Sequence, residues 1–133
     1  MIRIFHKDGT IPANGEVFVF GSNLAGRHGL GAALIAQQKF GASYGVGRGR
    51  MGQSYGIPTK TERLAVRQIN EIQRDIEDFI AYAKHNSDER FFITRIGCGL
   101  AGFADSEIAP FFKNASVNCS LPDTWAPYLA SDD

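Results

Sequence analysis

Two glycine clusters occupy equivalent places in this chain, and their placement constrains the fold more than any other feature. The first, Gly21 to Gly31, follows the apolar run Val17-Phe18-Val19-Phe20; the second, Gly97 to Gly102, follows Phe91-Phe92-Ile93. Each is succeeded by a segment of helical character. Apolar β-formers that do not alternate with polar residues are the mark of strands buried on both faces, as in a parallel sheet. Strand, glycine loop and helix, occurring twice, predict an α/β chain: a three-layer α/β/α sandwich with its ligand site at the carboxyl ends of the strands.

The junctions also carry a chemical expectation. Where a strand turns into a helix, free backbone amides and the positive end of the helix dipole face outward together. Without Cβ atoms, a phosphate can approach that main chain closely. A nucleotide diphosphate can be gripped in this way without any lysine. That suits a chain in which 14 Lys and Arg balance 14 Asp and Glu. Such a chain exerts no general pull on nucleic acid or an anionic membrane. Neither cluster is a P-loop, because no Gly-Lys-Ser/Thr follows. Gly26-Arg27-His28-Gly29-Leu30-Gly31 breaks the dinucleotide spacing as well.

The remaining elements read as follows. Ile2, Ile4 and Phe5 form a short opening strand, followed by turns at Asp8-Gly9 and Asn14-Gly15. Leu30 to Phe40 is helical, with Gly41 at the C-terminal cap position. Gly45 to Gly52 has the backbone freedom of a mobile loop, with Arg48 and Arg50 at a solvated tip or on a lid. A strand Ser54 to Ile57 ends at Pro58. A helix from about Ala65 to Lys84 buries Ile69, Ile72, Ile76, Phe79, Ile80 and Ala83, and turns Arg74, Asp75, Glu77 and Asp78 outward. A further helix runs from Asp105 to about Asn114, a last strand from Val117 to Leu121, and Trp125 with Leu129 packs a terminal turn. No linker or repeat divides residues 1–133, so one domain is expected.

Cys98 and Cys119 lack metal-ligand spacing, so neither a metal nor a disulfide is expected. No cofactor is implied. The opening residues lack the apolar core of a secretory signal, and no apolar run reaches the ~18 residues of a membrane span. A cytoplasmic protein with no membrane partner is the resulting expectation.

Three segments resemble compact macro domains. Gly29-Leu30-Gly31-Ala32-Ala33 through Lys39-Phe40-Gly41 is similar to that family's first ligand loop and following helix. Ser54-Tyr55-Gly56-Ile57-Pro58-Thr59-Lys60 resembles its central strand, and Arg95-Ile96-Gly97-Cys98-Gly99-Leu100 its diphosphate loop. The likeness spans about residues 1 to 115 and points to the branch with ADP-ribose glycohydrolases and ADP-ribose-1''-phosphate phosphatases. It implies a mixed sheet, ADP-ribose or a related nucleotide diphosphate as ligand, and an ADP-ribosylated macromolecule as a further partner. By position, Asp8 would receive the adenine amino group, its alternative being a turn-former before Gly9. Ser22 and Asn23 would reach the distal ribose. Gly29, Leu30, Gly31 and Ala32 would wrap the phosphates from one side. Gly97, Cys98, Gly99, Leu100, Ala101 and Gly102 would close from the other, with Phe103 as a stacking surface or an ordinary core residue.

The chain departs from the branch whose mechanism passes through a covalent lysine. Ala101 stands where that branch has an Asp after Gly-Cys-Gly-Leu, and Lys60 matches an earlier, non-catalytic position. The remaining catalytic candidates are Asn23, His28, whose ordinary pKa suits proton transfer near neutrality, and Asp105, as a displaced carboxylate. A solvated loop residue is the alternative for His28 and a helix cap for Asp105. Hydrolysis of an ADP-ribose derivative is one expectation and a non-catalytic reader another. A nucleic-acid module using Arg27, Arg48 and Arg50 is disfavoured by the zero net charge and the missing aromatic platform.

Overall fold

The computed structural model describes residues 3–13 and 15–129; the expectations for Ile2 and Asn14 lie outside them. Six strands form a mixed sheet in the order β1-β6-β5-β2-β4-β3. They are β1 (Ile4–His6), β2 (Glu16–Asn23), β3 (Gly49–Met51), β4 (Ser54–Lys60), β5 (Arg90–Ile93) and β6 (Cys119–Pro122). All pairings are parallel except that of β3 with β4. Strand alternation divides the core into two. Val17, Val19, Phe91 and Ile93 face the larger cluster, while Phe18, Phe20 and Phe92 face the smaller one.

The larger face is covered by α2 (Ile69–His85), α3 (Asp105–Ile108) and two 3₁₀ turns, Ala109–Phe112 and Asp123–Tyr128. The apolar stripe of α2 sets its orientation, with Ile72, Ile76, Phe79, Ile80 and Ala83 all buried. Trp125 is fully enclosed in the last turn. The other face has only α1 (Gly31–Lys39), which buries just Ala33 and Ala36. Gly41 follows at φ 77°, the left-handed geometry expected after a helix. Two small buried side chains let this helix lie close to Phe18 and Phe20. The same economy leaves the sheet beyond it uncovered, and the cleft opens there. Among the described residues no helix is long and apolar enough to cross a membrane.

Several boundaries differ from the sequence reading. Strand β2 continues through Gly21, Ser22 and Asn23, which pair with β4. Pro58 does not end β4; it lies opposite Ser22, beyond the reach of β3, which pairs only as far as Gly56. Past that point a missing amide costs no ladder bond on that side. Helix α2 starts at Ile69 because the preceding residues fold back on β4: Thr61 donates its amide to the Ala65 carbonyl at 2.7 Å, and the Thr59 carbonyl receives the Arg67 amide at 2.9 Å. The third helix is one turn of α followed by a 3₁₀ turn containing Pro110.

The largest correction concerns residues 45–52. Gly49–Met51 is an edge strand, and the arginines expected at a flexible tip are anchored. Arg48 pairs with Asp75 at 2.8 Å and Arg50 with Glu89 at 2.8 Å. The glycines here serve close approach rather than freedom. A Cβ on Gly47 would overlap the Asn23 carbonyl oxygen, and one on Gly26 the Val46 amide. Asp75, expected on the solvated face of α2, is buried for the same reason: it receives Arg48 and also Arg67, at 2.6 Å.

Candidate functional site

The parallel strands all end on one side, and a cleft of about 580 Å³ lies there. Its floor is the uncovered sheet face, with Phe18 and Phe92, and the carboxyl ends of β2 and β4, with Gly21, Ser22, Asn23, Thr59 and Lys60. One wall is the loop and first turn of α1, Gly29 to Ala33. The opposite wall is Ile96, Gly97, Gly99, Leu100 and Ala101. His6, Asp8, Thr10 and Ile11, from the end of β1 and the loop after it, close one end, and Leu64 lies at the rim. The two glycine junctions therefore face each other across one cleft. At the floor they nearly meet: a Cβ built on Gly21 would stand 3.7 Å from the Gly97 amide nitrogen.

Those junctions offer donors. No side chain caps α1, so the first-turn amides of this nine-residue helix remain unbonded, as helix geometry dictates. Across the cleft, the amides of Gly97, Gly99, Leu100 and Ala101 meet no acceptor among the described residues. This loop holds its shape by other bonds, Cys98 to the Arg95 carbonyl at 3.1 Å and Phe103 to that of Gly97 at 2.8 Å. Convergent unpaired amides in a concave, largely apolar site are an anion receptor of the kind that takes a diphosphate.

Of the ligand residues expected from the sequence, Asp8, Ser22, Asn23, Gly29, Leu30, Gly31, Ala32, Gly97, Gly99, Leu100 and Ala101 line the cleft. Cys98, Gly102 and Phe103 do not. Phe103 packs on the larger core, which selects the plainer of its two readings. Gly102, at φ 83°, closes the turn by donating its amide to Gly99. The Cys98 thiol is turned to the Ile96 carbonyl. Burial first, and the Asp105 carboxylate second, push its pKa up to about 12, so it is no nucleophile at neutral pH. Ser22 lines the cleft but spends its hydroxyl on the Gly47 carbonyl.

The three catalytic candidates are all engaged elsewhere. His28 is 2% exposed and outside the cleft. Its Nε2 lies 2.9 Å from the Ser43 carbonyl and 3.0 Å from that of Val46, and two carbonyl acceptors require the proton on Nε2. It is neither a solvated loop residue nor a proton carrier to the ligand; it ties the 43–46 turn beneath the first glycine loop. His28→Ala is expected to lower the unfolding free energy by about 2 kcal/mol, read from urea melts, through the cavity and two orphaned carbonyls. Asn23 holds Arg27 by both ends of its amide, at 2.8 and 2.9 Å, and so shapes the loop. Asp105 lies outside the cleft, takes Arg95 bidentately at 2.9 and 3.0 Å and accepts from Trp125 Nε1 at 2.8 Å. Burial acts to raise its pKa, but Arg95 and Trp125 prevail and hold it below the usual value.

Sequence reasoning passed over His6, Arg95, Thr59 and Lys60 as cleft residues. Lys60, set aside as non-catalytic, pairs in register with Asn23 at the strand ends and lines the cleft. Its amino group forms no ion pair among the described residues. The available signal was position: the last residue of a parallel strand faces the ligand end. Arg95 lies 3.7 Å from Asp8, linking the loop after β1 to the second glycine loop. Leu64 holds φ 64° beside the cleft, a backbone strain that side chains rarely accept. His6 is half-buried. Burial pushes its imidazole below 6.5, against the Ile93 carbonyl and the acids Glu16, Asp123 and Asp8. As pH falls below about 6.5 the unfolded chain takes up this proton first, so stability falls until the folded ring titrates too. His6→Phe is expected to flatten that part of a plot of urea midpoint against pH.

The fold and the paired amide walls define a class: an α/β domain with an amide-lined cleft at the carboxyl ends of its strands. No family model matches the sequence, and no curated protein matches it. Solved structures do. The macrodomain of Mycobacterium tuberculosis DarG aligns with 91% of this chain and 97% of its own, at 17% identity and TM-score 0.64. A protein of unknown function from Bacteroides thetaiotaomicron aligns with 92% of this chain and 98% of its own, at 16% identity and TM-score 0.61. Thermosipho africanus DarTG, solved in complex with ADP-ribose, covers 84% of this chain with 39% of its own, at 15% identity and TM-score 0.57. The fold is that of the macrodomains.

Proposed function

We propose that this protein binds ADP-ribose or an ADP-ribose derivative in the cleft and hydrolyses a bond at the distal ribose. The carrying observation is the pair of amide-lined walls facing each other over a floor that Gly21 leaves without a side chain. The ligand of the Thermosipho africanus structure supports the same reading. In this arrangement the diphosphate lies between the walls, the nucleobase at the Asp8 end and the distal ribose over Asn23 and Lys60. Catalysis then rests on Lys60 rather than on His28 or Asp105. Its amino group, beside the distal sugar, stabilises negative charge developing on a departing oxygen. The leaving group is either a modified macromolecule or the 1''-phosphate.

Calorimetric titration with ADP-ribose tests the binding, and incubation with ADP-ribose-1''-phosphate and with ADP-ribosylated protein or nucleic acid tests turnover. Lys60→Ala is expected to slow turnover on the order of 10²-fold while ADP-ribose still binds. Binding without turnover by the unaltered protein would select the reader; no binding would overturn both.

A further inference from the structure

Four near-parallel rings form a ladder along the α1 face of the sheet. Phe40 stacks on Phe18 with centroids 4.7 Å apart, Phe18 follows Phe92 at 6.3 Å, and His6 lies on Phe92 at 3.7 Å and 17°. Phe18 and Phe92 are almost wholly buried. His6 is the ring at the end of the ladder, where the helix no longer covers the sheet, and it lines the cleft two residues before Asp8. Its reach depends on its neighbour in β6. Ser120 pairs with Phe92 on one side and lies on the strand between β5 and β1; this small side chain lets the imidazole cross over it. The serine hydroxyl also meets His6 Nδ1 at 2.7 Å and sets the ring plane. The Ile93 carbonyl also lies near the imidazole, and Nε2 is not among the buried polar atoms left without a partner.

Every other ring in the ladder is a phenyl, so packing alone explains a phenyl at position 6 as well as it explains the imidazole. An imidazole adds a flat apolar face that ends in a hydrogen-bonding edge, which is the chemistry of nucleobase recognition. We propose that His6, positioned by Ser120, is a specificity-determining residue for the base of the bound nucleotide, acting beside Asp8 and through Nε2. This inference rests on the cleft binding an ADP-ribose type of ligand. Burial keeps the ring neutral at neutral pH, so Nε2 can donate or accept according to the tautomer Ser120 selects.

The test is titration of the unaltered protein, His6→Phe and Ser120→Ala with ADP-ribose, with its hypoxanthine analogue, and with ribose 5-diphosphate, which has no base. His6→Phe keeps the stack and removes both nitrogens. Its affinity for ADP-ribose is expected to fall about five- to tenfold, as for one lost hydrogen bond, with adenine and hypoxanthine ligands less distinguished and ribose 5-diphosphate unchanged. Ser120→Ala should move the same ratios in the same direction by less. Equal weakening of ligands with and without a base, or no change in the adenine-to-hypoxanthine ratio, would overturn the role of His6 while leaving the cleft's ligand intact. Failure of the unaltered protein to bind ADP-ribose would overturn the functional reading and this inference together.

Discussion

Asp75→Ala is expected to lower the unfolding free energy by about 3–5 kcal/mol, the cost of leaving buried charge unpaired. Total stabilities are about 5–15 kcal/mol, so a large share would be lost. Asp75 is 8% exposed on α2 and is shared by two arginines, Arg48 at 2.8 Å and Arg67 at 2.6 Å. Arg67 is itself buried and also donates to the Pro58 carbonyl at 2.8 Å. Removing the carboxylate strands this guanidinium inside the protein. It also releases the end of β4, which presents Thr59 and Lys60 to the cleft. Urea melts of the variant should show a lower midpoint at an unchanged slope. A double variant with Arg67→Met should lose less than the sum of the single losses, because the stranded charge is gone. Acid should mimic the substitution. Burial acts to raise the Asp75 pKa, but the arginines outweigh it and hold the group below 3.8. Its stability contribution is therefore present above that pH and lost as pH falls through the lowered value.

Gly21→Leu is expected to abolish ADP-ribose binding, by at least about 10³-fold or some 4 kcal/mol, with little change in fold stability. Position 21 has ordinary backbone geometry and room for a Cβ, at 3.7 Å from Gly97 N, Ile96 Cγ2 and Thr59 Cγ2. A longer side chain would rise from the floor into the gap between the two walls, the seat proposed for the diphosphate. Gly21→Ala, with a single carbon in ordinary contact, should weaken binding far less. Calorimetry with ADP-ribose, paired with urea melts, separates the two properties. Undiminished affinity in Gly21→Leu would mean that the diphosphate does not lie between the glycine junctions.

The two variants act on different layers of the molecule, and sequence reasoning reached those layers unequally. The glycine junctions were legible because their meaning is local. A buried strand has to be apolar along its length, and a turn that exposes amides to an anion has to lack side chains; both requirements are written in consecutive residues. The same holds for the stripe from Ile72 to Ala83, since one helix face is read at spacings of three and four. Glycine, however, has two uses that look alike in a sequence. Gly21 leaves the cleft floor open and Gly97 takes a left-handed turn tight against Ile108 and Phe103, whereas Gly26 and Gly47 let one backbone lie against another. Only the contact across the fold tells them apart, and that is why residues 45–52 read as mobile.

The polar residues show the same limit more sharply. His28, Asn23 and Asp105 were attractive because their chemistry suits proton transfer or ribose contact, but chemistry is a property of a side chain and availability is a property of its surroundings. Ser43 and Val46, 15 and 18 positions from His28, consume its Nε2; Trp125, 20 positions from Asp105, shares its carboxylate with Arg95. By itself, then, the sequence determined where the buried strands run, which helix face turns inward, and that two amide-rich turns lie at strand ends. The tertiary structure alone decided that those turns share one cleft, that Lys60 and His6 stand in it, and that Asp75 is a buried hub. Register and chain crossings bring distant residues within hydrogen-bond range, and neither leaves a mark in the spacing of neighbours along the chain.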